Sequence, residues 1–133
     1  DVTNMSQYNA LYFPGGVGIE RFYPENWPIK DHNGPIKLFK TLESFRLDKN
    51  KYLLVTANSS RIIHSNNLLG NSIVAGFSDD YVRNNVEEKI VNSHNLISVI
   101  GYYALTDFAL YVIEILQGSE VKNKIIQDLE LGY

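Results

Sequence analysis

The sequence divides at about residue 78 into two parts with different local patterns. Residues 1–77 contain all four prolines and consist of short apolar runs separated by Gly and Pro. Residues 78–133 contain no proline, and their apolar residues recur at helical spacing. This division constrains the fold more than any single motif does, because the first part favours turns and short strands whereas the second favours helices.

The pattern predicts an α+β fold in a single domain that covers residues 1–133. A mainly antiparallel sheet is expected from the N-terminal half and the centre, covered by helices drawn mostly from residues 78–133. With 133 residues and 44% hydrophobic content, the chain is long enough to bury its own core. Its net charge of −3 and its 20% of charged residues are typical of an ordinary folded domain.

The first part of the chain predicts one helix among several strands. Apolar runs at residues 10–13 and 17–23 flank Pro14-Gly15-Gly16, which favours a hairpin turn. Helical spacing and a proline at the first position predict a helix over residues 35–46. Further strands joined by hairpin loops are predicted at residues 52–57, 61–64 and 72–77.

The second part predicts three helices. Ser78 is a suitable cap for a helix over residues 78–91. Residues 96–105 fit either a strand or a helix. Their β-branched and aromatic content favours a buried strand. A helix from Thr106 to Gln117 is expected to end at Gly118, and Ser119 then begins the last helix.

No short motif in the sequence carries a known chemistry. The segment Gly15–Gly18 lacks the glycine spacing and the Gly-Lys-Ser/Thr element of phosphate-binding loops, so a plain turn is the better interpretation. The three histidines, His32, His64 and His94, are not at zinc-ligand spacing, and the absence of cysteine excludes disulfides, thiolate metal sites and a cysteine nucleophile. We therefore predict no metal and no cofactor, and no signature of a known family extends over more than a few residues.

Charge and aromatic residues are unevenly distributed. Residues 1–66 carry a net charge of +2 and residues 67–133 a net charge of −5. The acidic half fits a protein partner with a cationic surface better than a nucleic acid. Tyrosine and tryptophan are frequent anchors of interfaces. The residues predicted to bind this partner are Tyr23, Trp27, Asp79, Asp80, Glu87 and Glu88.

These features predict a non-catalytic protein-binding module, of the inhibitor, immunity-protein or regulatory type, and not an enzyme. A cytoplasmic location is expected, because cysteine and a signal peptide are absent. No membrane span is expected, because the apolar stretch at residues 96–116 contains Asp107 and Glu114. The oligomeric state stays open. The alternative is a small enzyme or ligand-binding domain whose site is assembled from distant residues, with Asp31, His32, His64, Tyr103 and Glu114 as candidates.

Overall fold

The computed structural model describes residues 5–23, 33–56, 58–76 and 85–133, with the backbone alone at residues 33–36. Two compact units are present, Asp1–Tyr102 and Tyr103–Tyr133. Among the described residues, the first unit contains the strands and two helices, and the second unit contains two further helices. The single domain expected over residues 1–133 stays a prediction.

The described part of the first unit contains strands β1 to β6 and helices α1 and α2. In chain order these elements are β1 (Ala10–Phe13), α1 (Asn33–Leu47), β2 (Tyr52–Thr56), α2 (Ser59–Ser65), β3 (Val74–Ala75), β4 (Asn85–Val86), β5 (Ile90–Ser93) and β6 (Leu96–Val99). Short 3-10 helices lie at Val17–Phe22 and Tyr102–Ala104. The second unit consists of α3 (Leu105–Gln117) and α4 (Ser119–Asp128), which pack together.

The main sheet has four strands in the order β1-β2-β6-β5. Strand β2 is parallel to both β1 and β6, and only β5 pairs with β6 in the antiparallel direction. The prediction of a mainly antiparallel sheet is therefore wrong. The physical reason is that β1 and β2 are joined by a connection that includes α1, and a crossover of this length brings the chain back in the same direction.

Helices pack on the sheet, so the predicted combination of helices and a sheet in one fold is confirmed. Within the first unit, α1 and α2 both contact β2. Strand β2 is buried from Leu53 to Thr56, as expected for an inner strand of a parallel sheet that is covered on both faces. The helices that contact it come from residues 33–65, whereas the sequence pattern had assigned most of the covering helices to residues 78–133.

Three local predictions fail for a common reason. The predicted strands at residues 17–23 and 61–64 lie in the helical segments Val17–Phe22 and Ser59–Ser65. Of the helix predicted over residues 78–91, the part from residue 85 onward belongs to strands β4 and β5, and residues 78–84 lie outside the described residues. Short apolar runs fit either state, and tertiary packing decides between them. The predicted α1 and β2, the strand β6 that begins at Leu96, and the two C-terminal helices are confirmed, and Gly118 ends α3 with a positive φ of 92°.

The helical pair of the second unit is joined by a polar contact. The Glu114 carboxylate accepts hydrogen bonds of 2.7 Å from the Ser119 hydroxyl and 2.7 Å from the Lys122 ammonium. The bond from Lys122 is the main reason why the pKa of Glu114 lies below its ordinary value. In the part of the chain that the structure describes, no helix has the length and apolar character needed to cross a membrane.

Candidate functional site

Three adjacent parallel strands end at one edge of the sheet. Strand β1 ends at Phe13, β2 at Thr56 and β6 at Val99. In open sheets of this kind, ligands bind beyond the carboxyl ends of the strands, where the connecting segments supply side chains and backbone groups. We use the name strand-end site for the segments that follow these strands, together with the side chains in contact with them. The site comprises Tyr12, Gly15, Gly16, Tyr23, Thr56, Asn58, Ser59, Ser60, Arg61 and Tyr102.

Gly15 is the point at which the three strand ends meet. A Cβ atom at this position would lie 2.4 Å from the Thr56 carbonyl oxygen, 2.6 Å from Asn58 Oδ1 and 3.3 Å from the Tyr102 hydroxyl. The first two distances are shorter than any van der Waals contact. Only glycine therefore lets the segment after β1 approach the turn after β2 so closely.

The Asn58 side chain binds both backbone groups of Gly16. The Gly16 N–H donates to Asn58 Oδ1 at 2.9 Å, and Asn58 Nδ2 donates to the Gly16 carbonyl at 3.1 Å. Gly16 has a φ of 118°, a conformation that favours glycine. Asn58 thus fixes the glycine segment relative to the β2–α2 turn.

Hydroxyl groups line the end of β2. The Ser59 hydroxyl accepts a 2.8 Å hydrogen bond from the Thr56 N–H and donates to the Thr56 carbonyl at 2.9 Å. The Tyr12 and Thr56 hydroxyls are 2.5 Å apart, and either can donate. Tyr12 is 43% exposed, so one member of this pair is accessible to a small molecule.

An arginine is stacked on a buried tyrosine beside the same turn. The Arg61 guanidinium carbon lies 3.9 Å from the centre of the Tyr23 ring, which is cation–π geometry. The Tyr23 hydroxyl is 3.5 Å from the Asn58 carbonyl oxygen. Burial raises the pKa of Tyr23, and this effect exceeds the opposing effect of the Arg61 charge. Tyr23 therefore stays neutral at physiological pH.

Ser60 differs from its neighbour Ser59. Its hydroxyl is buried, with 3% of the residue exposed, and no group of the described residues lies within hydrogen-bonding distance of it. A buried hydroxyl without a partner is costly. The first turn of α2 thus contains two adjacent serines, one with a hydrogen-bonded hydroxyl and one whose hydroxyl has no hydrogen-bond partner among the described residues.

We expect Ser59→Ala to destabilise the protein and Ser60→Ala not to destabilise it. Ser59→Ala removes two hydrogen bonds to the Thr56 backbone and should lower the free energy of unfolding by about 1–2 kcal/mol. Ser60→Ala removes an unpaired polar atom and should leave stability unchanged or raise it by up to about 1 kcal/mol. Urea denaturation of both variants measures the difference. An equal loss in the two would contradict the hydrogen-bond assignment.

A second polar cluster lies where β6 begins, at the opposite end of the sheet. Arg46 donates to the carbonyl oxygens of Leu68 at 2.8 Å and His94 at 2.9 Å, and to the Ser72 hydroxyl at 3.0 Å. The Ser72 hydroxyl is also 3.2 Å from His94 Nδ1. Arg46 is half-buried, and this burial lowers its pKa. Each of its three nitrogens donates to a group of the protein, so this cluster has a structural role.

Of the six predicted partner-binding residues, the structure describes three. Tyr23 is 5% exposed and packs in the core of the first unit, so it is not a surface anchor. Glu87 and Glu88 are exposed, in the segment between β4 and β5 instead of on a helix. Trp27, Asp79 and Asp80 lie outside the described residues. The cationic protein partner stays a prediction.

Of the five residues of the alternative site, the structure describes three, which are divided between the two units. His64 is in the last turn of α2. Tyr103 is 69% exposed and belongs, with Glu114, to the second unit. Asp31 and His32 lie outside the described residues. Across residues 5–23, 33–56, 58–76 and 85–133, no group of three or more His, Asp or Glu side chains has the arrangement of a metal site.

Comparison with solved structures identifies the fold. Oxidized DJ-1 from Toxoplasma gondii matches with a TM-score of 0.73 and 21% identity, covering 96% of this chain. DJ-1beta from Drosophila melanogaster matches with a TM-score of 0.66 and 18% identity, covering 92% of it. A Bacteroides thetaiotaomicron protein that carries the name protease I matches with a TM-score of 0.66 and 14% identity over 84%. The fold is therefore DJ-1-like.

The likeness is one of structure and not of sequence. No family model matches the sequence, and no curated protein does. The chain spans 66% of the length of the Toxoplasma protein and 64% of the other two chains. About a third of each of those proteins thus has no counterpart in this comparison.

The comparisons correct two predictions about function. The expected inhibitor or immunity-type binding module is wrong, because the solved structures with this fold include DJ-1 proteins and a protein named as a protease. The prediction that the chain is not an enzyme is wrong on the same ground.

The sequence contained signals for most of the strand-end site. The Gly15-Gly16 pair stands out, but it was interpreted as a hairpin turn because the following run was assigned to a strand. Asn58, Ser59 and Ser60 were assigned to a loop between two strands for a similar reason. A predicted strand followed by a helix at residue 59 would have indicated a site at this turn. Tyr102 lies far along the sequence and had no such signal.

Proposed function

We propose that this chain is an enzyme that binds a small organic molecule at the strand-end site and acts on it by proton transfer, without a thiol nucleophile. The observation that carries the proposal is the meeting of three parallel strand ends at Gly15. The DJ-1-like fold supports it, because a protein named as a protease shares that fold. The cytoplasmic location expected from the sequence belongs to the same proposal.

The chemistry available at the site is that of hydroxyl groups and one cation. Strand β2 ends at Thr56 and α2 begins at Ser59, with Ala57 and Asn58 between them in the sequence, and in some enzymes a connection from strand to helix carries the nucleophile. Ala57 has no reactive group, and the sequence contains no cysteine. Tyr12, paired with Thr56 at 2.5 Å, is the accessible hydroxyl that would donate a proton to a bound substrate.

The proposal is tested by a binding screen followed by an activity assay. We would titrate the ¹⁵N-labelled full chain with a library of small carbonyl compounds, organic acids, amides and alcohols. The expected result is a set of compounds that shift the amide signals of Gly15, Gly16 and Asn58, and not those around His94. Bound compounds would then be incubated with the protein, with product formation followed by mass spectrometry. Tyr12→Phe is expected to retain binding and to slow turnover at least tenfold.

Two results would contradict the proposal. The first is a library in which no compound shifts the strand-end residues. The second is a bound compound that the protein does not convert, or that it converts equally fast in the Tyr12→Phe variant. The Tyr8→Phe variant is the matched control, because Tyr8 is also an exposed tyrosine and lies outside the site.

A further inference from the structure

Thr56 and Tyr12 lie on the same face of neighbouring strands. Tyr12 on β1 is in register with Leu54 on β2, and Thr56 is two residues further along β2. Because alternate residues of a strand point to the same face, the two side chains meet there, with their hydroxyl oxygens 2.5 Å apart. The Ser59 hydroxyl in turn fixes the backbone of Thr56. The hydroxyl pair thus has a defined position at the end of β2.

The two hydroxyls differ in their surroundings. Thr56 is fully buried, whereas Tyr12 is 43% exposed. Among the described residues, Tyr12 is the one hydrogen-bond partner of Thr56 Oγ1. Tyr12 has a further interaction within the protein besides its bond to Thr56. The Thr56 proton therefore has a single acceptor within reach, whereas Tyr12 has other groups or solvent to meet.

Hydrogen-bond satisfaction decides which of the two oxygens donates. If Tyr12 donated to Thr56, the Thr56 proton would be buried without an acceptor, and an unpaired buried donor carries the full desolvation penalty. If Thr56 donates to Tyr12 Oη, its own proton is paired, and the Tyr12 proton is directed elsewhere. Only the second arrangement satisfies the buried hydroxyl. It also leaves the direction of the bond independent of the further interaction of Tyr12.

We infer that Thr56 is a positioning residue that donates a hydrogen bond to Tyr12 Oη and so directs the Tyr12 proton away from β2, towards a bound substrate. This inference rests on the proposed function, in which Tyr12 is the proton donor. In the transfer step the O–H bond of Tyr12 breaks, the proton goes to a basic atom of the substrate, and the electron pair stays on Oη. Thr56 keeps its own proton, and its hydrogen bond stabilises the phenolate until that oxygen regains a proton from water.

The direction of the bond can be observed by NMR in the uniformly ¹³C-labelled full chain. The proton between the two oxygens is expected to show through-bond correlations to Cβ and Cγ2 of Thr56, because it is attached to Thr56 Oγ1. Correlations of this proton to the ring carbons of Tyr12 would overturn the inference and leave the proposed function standing. A failed binding screen, in contrast, would refute the proposed function without changing the direction of this bond.

Nitration by tetranitromethane tests the effect on the phenolate, because this reagent reacts with ionised tyrosine. Thr56→Val removes the hydroxyl, so Tyr12 should be nitrated at least about threefold more slowly than in the unaltered chain at the same mildly alkaline pH. Thr56→Ser keeps the hydroxyl and should restore the rate. Tyr8, an exposed tyrosine outside the site, is the internal control and should react equally in all three chains. Mass spectrometry of the digested protein gives the rate at each tyrosine.

A purely structural role of Thr56 would have the opposite effect. Loosening of the strand end in Thr56→Val would expose Tyr12 and speed its nitration. The inference is overturned if Tyr12 in Thr56→Val reacts as fast as in the unaltered chain or faster, or if Thr56→Ser does not restore the rate. Should the shared proton exchange too fast to be assigned by NMR, these rates decide alone.

Discussion

Replacing Gly15 by alanine should both destabilise the protein and disrupt the strand-end site. The new Cβ would lie 2.4 Å from the Thr56 carbonyl oxygen and 2.6 Å from Asn58 Oδ1, so the segment after β1 must move away from the β2–α2 turn. Overpacking of this kind costs about 1–3 kcal/mol. The movement also breaks the two hydrogen bonds between Asn58 and Gly16. We therefore expect the free energy of unfolding to fall by about 3 kcal/mol.

Gly18→Ala is the matched control for this prediction. A Cβ at Gly18 meets no atom within 4 Å, and the residue does not have a left-handed φ. Its replacement should change stability by less than about 1 kcal/mol, with a gain favoured because alanine restricts the unfolded chain. Urea denaturation gives the two free energies, and the NMR signals of the Asn58 side-chain amide report on the hydrogen bonds. Equal stability of the two variants would refute the close approach at Gly15.

Replacing Arg46 by alanine should cause a loss of similar size at the opposite end of the sheet. The guanidinium donates to the carbonyl oxygens of Leu68 and His94 and to the hydroxyl of Ser72. These acceptors belong to separate segments, which Arg46 connects to α1. Hydrogen bonds from a charged group contribute about 1.5–3 kcal/mol each and are not additive. The expected decrease in the free energy of unfolding is about 3 kcal/mol.

Two further variants separate the hydrogen bonds of Arg46 from its charge. Arg46→Lys keeps the charge but cannot reach several acceptors in the guanidinium geometry, so it should recover less than half of the loss. Lys40→Ala removes an exposed cation from the same helix and should change stability by no more than about 0.5 kcal/mol. The change in stability of each variant is measured from its urea denaturation midpoint, provided that the m-value is unchanged. A loss for Arg46→Ala as small as that for Lys40→Ala would contradict the connecting role.

The strand-end site shows why function was harder to predict than secondary structure. Asn58 and Gly16 are 42 residues apart, and their two hydrogen bonds exist only because β1 and β2 are neighbours in a parallel sheet. The assumption of a hairpin after β1 placed the next segment beside β1 and left Asn58 in an unrelated loop. The absence of cysteine, in contrast, could be read directly and excludes a thiol from the proposed chemistry.

Tyr23 illustrates the same limit for a single side chain. Its position in an aromatic and proline-rich segment suggested an exposed anchor for a partner. In the folded chain it is buried and supports Arg61, which is 38 positions further along. No local pattern distinguishes an aromatic residue that packs inward from one that projects outward, since both have the same sequence neighbours.

Local patterns were sufficient for elements whose stabilising contacts lie close together along the chain. Helices α1, α3 and α4 follow from the 3.6-residue period, and the end of α3 follows from Gly118, because helix hydrogen bonds and caps join residues only a few positions apart. Strand direction, the helical state of Ser59–Ser65 and the meeting of Gly15 with Asn58 and Tyr102 depended on the tertiary structure. These features arise from contacts between distant segments, whose free energy outweighs the weak preferences of short apolar runs.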